Sequence, residues 1–308
     1  MVEELPEALS AAGFAFRAGV AQGLTPGVLR GSRFAKPYRG IRTVDEPATL
    51  IERAAAFAPL LRPWQCLGGV SALAVLGLPV PWRLARSDDV EVVSAKERSR
   101  PDRAGVRVRR IAAERMIAWD VGGIRVASAP LAWALMGGRC SVHELVVLGD
   151  AIVTEAKRYP ERRLPGPLAT MDDLRAITDR WTGMNGASAL RSALPRIREK
   201  VESPRETDMR LFIVDAGMPE PDVQVEVHDP ATGLLLGRAD LAHRDARVVE
   251  EYEGEGHRSK AQWDRDIQKY RAFERVGLHV VRATKRDLVP SPDRWCADLA
   301  AVLQRRTR

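Results

Sequence analysis

Only three of the 308 residues are cysteine, and Cys66, Cys140 and Cys296 lie far apart with no second thiol at ligand spacing. A scattered, odd-numbered set builds neither a disulfide framework nor a thiolate zinc site, and it points to a reducing compartment. Long hydrophobic stretches are missing too: no apolar run reaches the roughly 20 residues that span a bilayer. The opening residues, MVEELPEALSAAG, are acidic and lack the basic-then-apolar order of a secretion signal. There is no internal repeat and no low-complexity tract. The expectation is a cytoplasmic protein without membrane contact. Its bulk composition is ordinary: 45% hydrophobic residues supply a core, and the chain exceeds the usual single-domain size, so two or three domains are expected.

Charge is unevenly spread along the chain. The net is +7, yet residues 201–308 hold 18 Lys+Arg against 20 Asp+Glu, a net of −2, which leaves +9 for residues 1–200. A basic front and a mildly acidic back suggest that the front meets a polyanion, unless the arginines only reflect a GC-rich genome. Residues 1–46 read as helix, tight turn, basic helix and strand, the outline of a winged helix-turn-helix. FAFRAGVAQG (14–23) is the first helix. Thr25 suits an N-cap and Pro26 the first turn of a second helix running toward Phe34, after which AKPYRGIRTV turns into a strand. Arg30, Arg33, Lys36, Arg39 and Arg42 would line a face offered to the phosphates of double-stranded DNA. A helical hairpin that binds no DNA is the alternative.

Residues 47–156 mix helices and strands. TLIERAAAFAPLL and CLGGVSALAVLGL have helical spacing, whereas DVEVVSA, GVRVRRI and GIRVAS alternate as strands. Arg107 and Arg109 share one strand face, and SVHELVVLGDAIVTE reads as a mostly buried helix with His143 solvated in its first turn. Residues 157–202 read as a proline-rich linker followed by helices. From 203 to 308 the order is αβββαβα, a sheet flanked by helices, so the whole chain falls in the α/β (α+β) class. Ser203 caps the first of these helices, Pro204 sits in its first turn and Gly217 stops it. The long helix after the third strand carries Trp263, Ile267, Tyr270 and Phe273 on its apolar face.

The stretch VVEEYEGEGHR puts four glutamates into six residues at a strand end. Glu251 and Glu253 point to one face about 7 Å apart, and their repulsion costs roughly 2 kcal/mol at an effective dielectric near 20. If Asp240 on the preceding strand pairs opposite Val249 it joins that face; a slip of one residue puts it on the other. Carboxylates gathered in this way take up protons or hold a cation. An oxygen-only set suits Mg²⁺ or Mn²⁺ rather than zinc, and a solvated acidic strand end is the alternative. Glu250 and Glu255 read as solvated, and His228, His243 and His279 as surface residues.

The pattern GRADLA…RVVEEYEGEGHRS…WDRDIQKY…ERVGLHVVRAT resembles the very-short-patch-repair-type (Vsr-like) endonuclease domain, a branch of the PD-(D/E)XK nuclease superfamily, over roughly residues 203–304. That branch carries an Asp on one strand and a Glu-x-Asp-Gly-x-x-His signature on the next. The resemblance implies the first role for Asp240, paired carboxylates at Glu251 and Glu253, the glycine at Gly254 and the histidine at His257. It implies Mg²⁺- or Mn²⁺-dependent hydrolysis of DNA phosphodiester bonds, with Asp240, Glu251 and Glu253 as the metal site. His257 would accept a proton, steady the leaving oxygen, or merely cap the following helix. Glu253 stands at the superfamily's lysine position, which this branch also lacks, and Lys269 or Arg258 would supply the positive charge. Glu206, three residues after Ser203, completes a capping box or serves as the first-helix acid often found in the family. The front is similar to the AbiEi-antitoxin-like winged-helix part that precedes such a domain in an actinobacterial layout. A non-enzymatic antitoxin-like transcriptional regulator with a degenerate nuclease fold is the rival expectation. A cognate toxin or a homodimer partner is the associated one.

Overall fold

The computed structural model describes residues 5, 6, 9, 12–95, 104–155, 159, 162–254 and 260–307, with backbone alone at 260–263. The chain divides into two compact units, Met1–Ile152 with Tyr159–Arg196, and Val153–Arg158 with Ile197–Arg308. Among the described residues there are 13 α-helices and three sheets, an α+β protein as the sequence leads one to expect. No described helix is long and apolar enough to cross a membrane.

In the first unit an antiparallel pair, β1 (Phe14–Ala15) and β2 (Ile41–Arg42), brackets two short helices, α1 (Phe16–Ala21) and α2 (Pro26–Arg30). The Thr25 side chain accepts from Val28 N at 3.3 Å and so caps α2. That helix ends at Gly31, in extended backbone, and does not run on to Phe34. Phe34 instead packs with Phe14, Leu24 and Leu29 in a small core, which fixes the loop against the hairpin of helices. There follow α3 (Leu50–Phe57), β3 (Gln65–Leu67), α4 (Gly69–Leu76), α5 (Trp82–Ala85), β4 (Val90–Ser94), β5 (Val106–Arg110), β6 (Ala118–Val121), β7 (Ile124–Ala127), α6 (Ala129–Met136) and α7 (Val142–Val153). The helix expected over Cys66–Leu78 is a strand and then a helix, divided at Gly68 and Gly69. Strands β5-β4-β3-β7-β6 form one mixed sheet, with β3–β7 and β4–β5 parallel. Helix α6 is buried on almost every side, so it has no amphipathic period for a sequence reading to find. Two more helices, α8 (Met171–Arg180) and α9 (Ala187–Ala193), come from the stretch expected to link the two parts and belong to this unit.

The second unit follows the expected order. It runs α10 (Pro204–Asp215), β8 (Asp222–His228), β9 (Leu235–His243), β10 (Val248–Glu253), α11 (Lys260–Arg275), β11 (His279–Thr284), a single turn α12 (Lys285–Leu288) and α13 (Asp293–Arg306). The sheet order is β11-β10-β9-β8, antiparallel except for the β10–β11 pair, which α11 connects as a crossover. Met209 and Ile213 of α10 and Trp295, Leu299 and Leu303 of α13 pack with Leu241 and Val248 on one sheet face. Phe273 of α11 packs with Val225, Val227, Ala239 and Val249 on the other. Gln224 breaks the pleat of β8, since it has a φ of 51°. Val223 therefore packs with the first core and Val225, two residues on, with the second. In a regular strand they would share a face.

Candidate metal centre

Where the carboxylates meet is set by the β9–β10 register. Val249 lies opposite Ala242 and Glu250 opposite Leu241. Continued by one position, that register would set Asp240 across from Glu251. The pairing thus differs by two residues from Asp240 opposite Val249, because the turn takes in Arg244–Arg247. An even slip preserves the face, so Asp240 stays on the side of Glu251. Both are buried, at 4% and 3% exposed. The ladder ends at Glu250, and there the Asp240 side chain takes over as acceptor: its Oδ2 receives Tyr252 N at 2.9 Å. A carboxylate replaces a carbonyl where the two strands part.

Helix α11 adds a cation. Lys269 Nζ lies 2.7 Å from Glu251 Oε2 and 3.3 Å from the Arg238 carbonyl oxygen, and it sits over the rings of Tyr270 and Phe273 at 5.2 and 5.7 Å. Next along the helix, Tyr270 Oη donates to Glu253 Oε1 at 2.8 Å, and Arg282 of β11 approaches the same oxygen at 3.9 Å. Burial first, then the charges of Glu251 and Glu253, push the Tyr270 hydroxyl well above its ordinary pKa. It therefore stays a proton donor. Glu253 shares the strand face of Glu251 but is turned toward this phenol and guanidinium. Among the described residues no three His, Cys, Asp or Glu side chains gather at metal-holding distance. His257 and Arg258 lie outside the described residues, as does the side chain of Trp263.

Glu206 takes the capping role. Its backbone N–H donates to Ser203 Oγ at 3.2 Å, and its carboxylate accepts from Ser203 Oγ and from Glu202 N, each at 2.9 Å. That is a capping arrangement reaching one residue further back than usual. The same carboxylate accepts from Gln224 Nε2 at 2.7 Å. Burial, and behind it the charge of Asp240, push Glu206 up to about 7. Gln224, held in left-handed backbone, thereby ties the helix acid to the sheet that carries Asp240. The amide Oε1 of Gln224 is buried with no hydrogen-bond partner among the described residues.

The oxygens here are of the kind that suits a hard divalent ion. Asp240 and Glu251 are buried carboxylates on neighbouring strands, Glu206 holds its proton to about 7 first because it is buried and then because of Asp240, and Gln224 contributes a buried amide oxygen to the same sheet. Mg²⁺ is commonly held by one or two carboxylates with water and substrate oxygens completing its shell. Sequence reasoning named Asp240, Glu251 and Glu253, and gave Lys269 as one of two cations. It missed Gln224, since a positive φ on a non-glycine residue leaves no mark in composition or periodicity, and it gave Tyr270 only as part of the apolar face of its helix.

Several other expectations change. Glu250 is fully buried rather than solvated, and His243 is buried rather than at the surface. His243 Nδ1 and Glu250 Oε1 are 2.7 Å apart, and Nε2 lies 2.9 Å from the Pro219 carbonyl oxygen. They lie on the opposite strand face from Glu251, by alternation. Of the basic residues assigned to the front, Arg30, Lys36 and Arg39 are exposed and Arg33 is half-buried. Arg42 is not at the surface. It is 8% exposed, and its guanidinium donates to the carbonyls of Leu29 and Ile41, which ties α2 to β2. Arg42→Ala would leave two buried carbonyls without donors, so it should destabilise the first unit by about 1–3 kcal/mol in a thermal or urea unfolding measurement. An unchanged transition would return Arg42 to the surface set. Arg109 is spent in a similar way: its guanidinium donates to the Leu135 carbonyl at 2.9 Å and packs over Trp181.

No family model matches the chain, and no solved structure matches it. It is similar to two curated proteins of Mycobacterium tuberculosis, Uncharacterized protein MT2308 of strain CDC 1551 / Oshkosh and Uncharacterized protein Rv2248 of strain ATCC 25618 / H37Rv. Each is 30% identical over 155 residues, covering 46% of this chain and 56% of the relative. The chain spans little more than half the length of these relatives.

Proposed function

We propose that the second unit is a divalent-metal-dependent phosphodiesterase acting on DNA, in the manner of the Vsr-like endonuclease domains it resembles. The observation that carries this reading is the burial of Asp240 and Glu251 at the neighbouring ends of β9 and β10, where Asp240 accepts from Tyr252 N at 2.9 Å, with Lys269 Nζ 2.7 Å from Glu251. Asp240 and Glu251 would hold Mg²⁺ or Mn²⁺, which supplies Lewis-acid polarisation of the phosphate and a water of lowered pKa. Lys269 offers a fixed positive charge beside the site, where charge on the phosphoryl oxygens builds up. Glu206 carries a proton through the lower part of the physiological range, at a carboxyl oriented by Ser203, Glu202 and Gln224. The exposed Arg30, Lys36 and Arg39, with Arg33, would grip DNA phosphates.

The test is nicking of supercoiled plasmid with Mg²⁺ or Mn²⁺, alongside calorimetric titration of Mn²⁺, from pH 6 to 8. Glu206 is protonated below about 7 and ionised above it, and a cation nearby favours the ionised form. Affinity for Mn²⁺ should therefore rise across this window, with proton release on binding that fades toward pH 8. Without the ion the sign reverses: the folded state binds the extra proton between the usual carboxylate value of 4.5 and about 7, so stability falls as pH rises over that range. A protein that binds no Mn²⁺ and cuts neither DNA nor RNA would sink the proposal. A second reading, a DNA-binding regulator whose nuclease-like unit is only a scaffold, is favoured by the engagement of Glu253 with Tyr270. It would be supported by DNA binding whose salt dependence weakens in Arg30→Ala, with no ion bound at Asp240.

A further inference from the structure

The stem of Lys269 crosses strand β9 directly over Gly237. A Cβ on that glycine would lie 2.9 Å from Lys269 Cγ, 3.0 Å from Cδ and 3.3 Å from Phe273 Cζ. Carbon atoms do not pack this closely, so a neighbour would have to move. Phe273 is fully buried between α11 and the sheet and has nowhere to go. The lysine stem is flexible and is the part that would give.

We propose that Gly237 is a positioning residue for Lys269: the missing side chain leaves the channel through which the ammonium reaches Glu251. The ammonium end is fixed by Glu251, by the carbonyl of Arg238 next in the strand, and by two aromatic rings. Only the stem's path over the strand depends on what occupies position 237. This assignment rests on Lys269 belonging to the site of the proposed hydrolase, but the geometry at position 237 can be tested without any catalysis.

The experiment is competitive acylation of lysine amines by acetic anhydride, mapped by mass spectrometry on the full chain. Lys269 should label slowly in the wild type. Gly237→Ala should raise its labelling about tenfold, as expected when one charge-assisted hydrogen bond is lost. Gly237 has a φ of 154°, so alanine there also strains the backbone. Gly233→Ala in the neighbouring β8–β9 turn is the control, since Gly233 has a φ of 72° and a Cβ placed on it would meet no atom within 4 Å; it should leave Lys269 labelling unchanged. If Gly237→Ala fails to fold, adding Lys269→Ala should restore the thermal transition by removing the stem that clashes. In Mn²⁺-dependent cleavage, Gly237→Ala should cost activity in the wild type and nothing further in Lys269→Ala. Wild-type-like labelling in a folded Gly237→Ala, no rescue by the double change, or losses that multiply would each overturn the proposal. A wild type that labels as expected but neither binds Mn²⁺ nor cleaves would remove the hydrolase reading and leave the path of the lysine standing.

Discussion

Glu251→Gln is expected to abolish calorimetric Mn²⁺ binding and to cut phosphodiester cleavage by about 100- to 1,000-fold, the scale found when one preorganised electrostatic group is removed from a site. The amide keeps the shape of the carboxylate and loses its charge, so the fold should survive. Two consequences follow from the contacts of Glu251. Lys269 Nζ, 2.7 Å from Glu251 Oε2, would keep a neutral acceptor but lose its counter-charge. Tyr270, whose hydroxyl is held up by burial and by Glu251 and Glu253, would lose part of that upward push. Asp240→Asn should be as severe, because Asp240 also accepts from Tyr252 N where β9 and β10 part. Mn²⁺ binding that is unchanged in Glu251→Gln would mean that the ion, if held at all, sits elsewhere.

His243→Ala should cost the second unit about 3–5 kcal/mol in urea unfolding, with no direct effect on the site around Glu251. Both ring nitrogens of His243 face acceptors, Glu250 and the Pro219 carbonyl. Burial pulls the imidazole down, and the hydrogen bond and charge of Glu250, with the Pro219 carbonyl, outweigh it and leave the ring above its ordinary 6.5. Burial likewise raises Glu250, against the pull of His243. A group with a raised folded value contributes fully below its unfolded value and loses that contribution as pH climbs through the folded one. The wild-type pair should therefore contribute most at acid pH, losing the part owed to Glu250 as pH rises above 4.5 and the part owed to His243 as it rises above 6.5. Without His243, Glu250 is a fully buried carboxyl with no counter-charge, and it takes up a proton instead. The variant should lose most stability as pH rises through the usual carboxylate range. Replacing both partners by leucine should recover much of the loss. A loss below about 1 kcal/mol in His243→Ala would show the pair to be dispensable.

How much could be read without coordinates differs between the two units. In the second, the strands alternate, the helices carry caps and stops at Ser203 and Gly217, and the carboxylates stand out against a β-branched pair. Its element order was accessible from such local signals, whereas the face taken by Asp240 hung on the β9–β10 register. The turn length that shifts the β9–β10 register, the burial of His243 and Glu250, and the left-handed Gln224 depend on how distant segments meet. None of them changes a residue pattern. The first unit was harder: Gly68–Gly69 splits an apolar run that reads as one helix, α6 is apolar on every side, and Arg42 points inward although it continues a row of basic residues.

The turn between β9 and β10 spans only residues 244–247, whereas Lys269 reaches the sheet through the long β10–α11–β11 crossover. Closing a short loop costs less chain entropy than closing a long one. Folding kinetics therefore favour an order in which Asp240 and Glu251 come together first and their ammonium partner arrives later. In that interval Asp240 and Glu251 lack the ammonium of Lys269, and only the hairpin's own arginines, solution protons and dissolved salts can shield them.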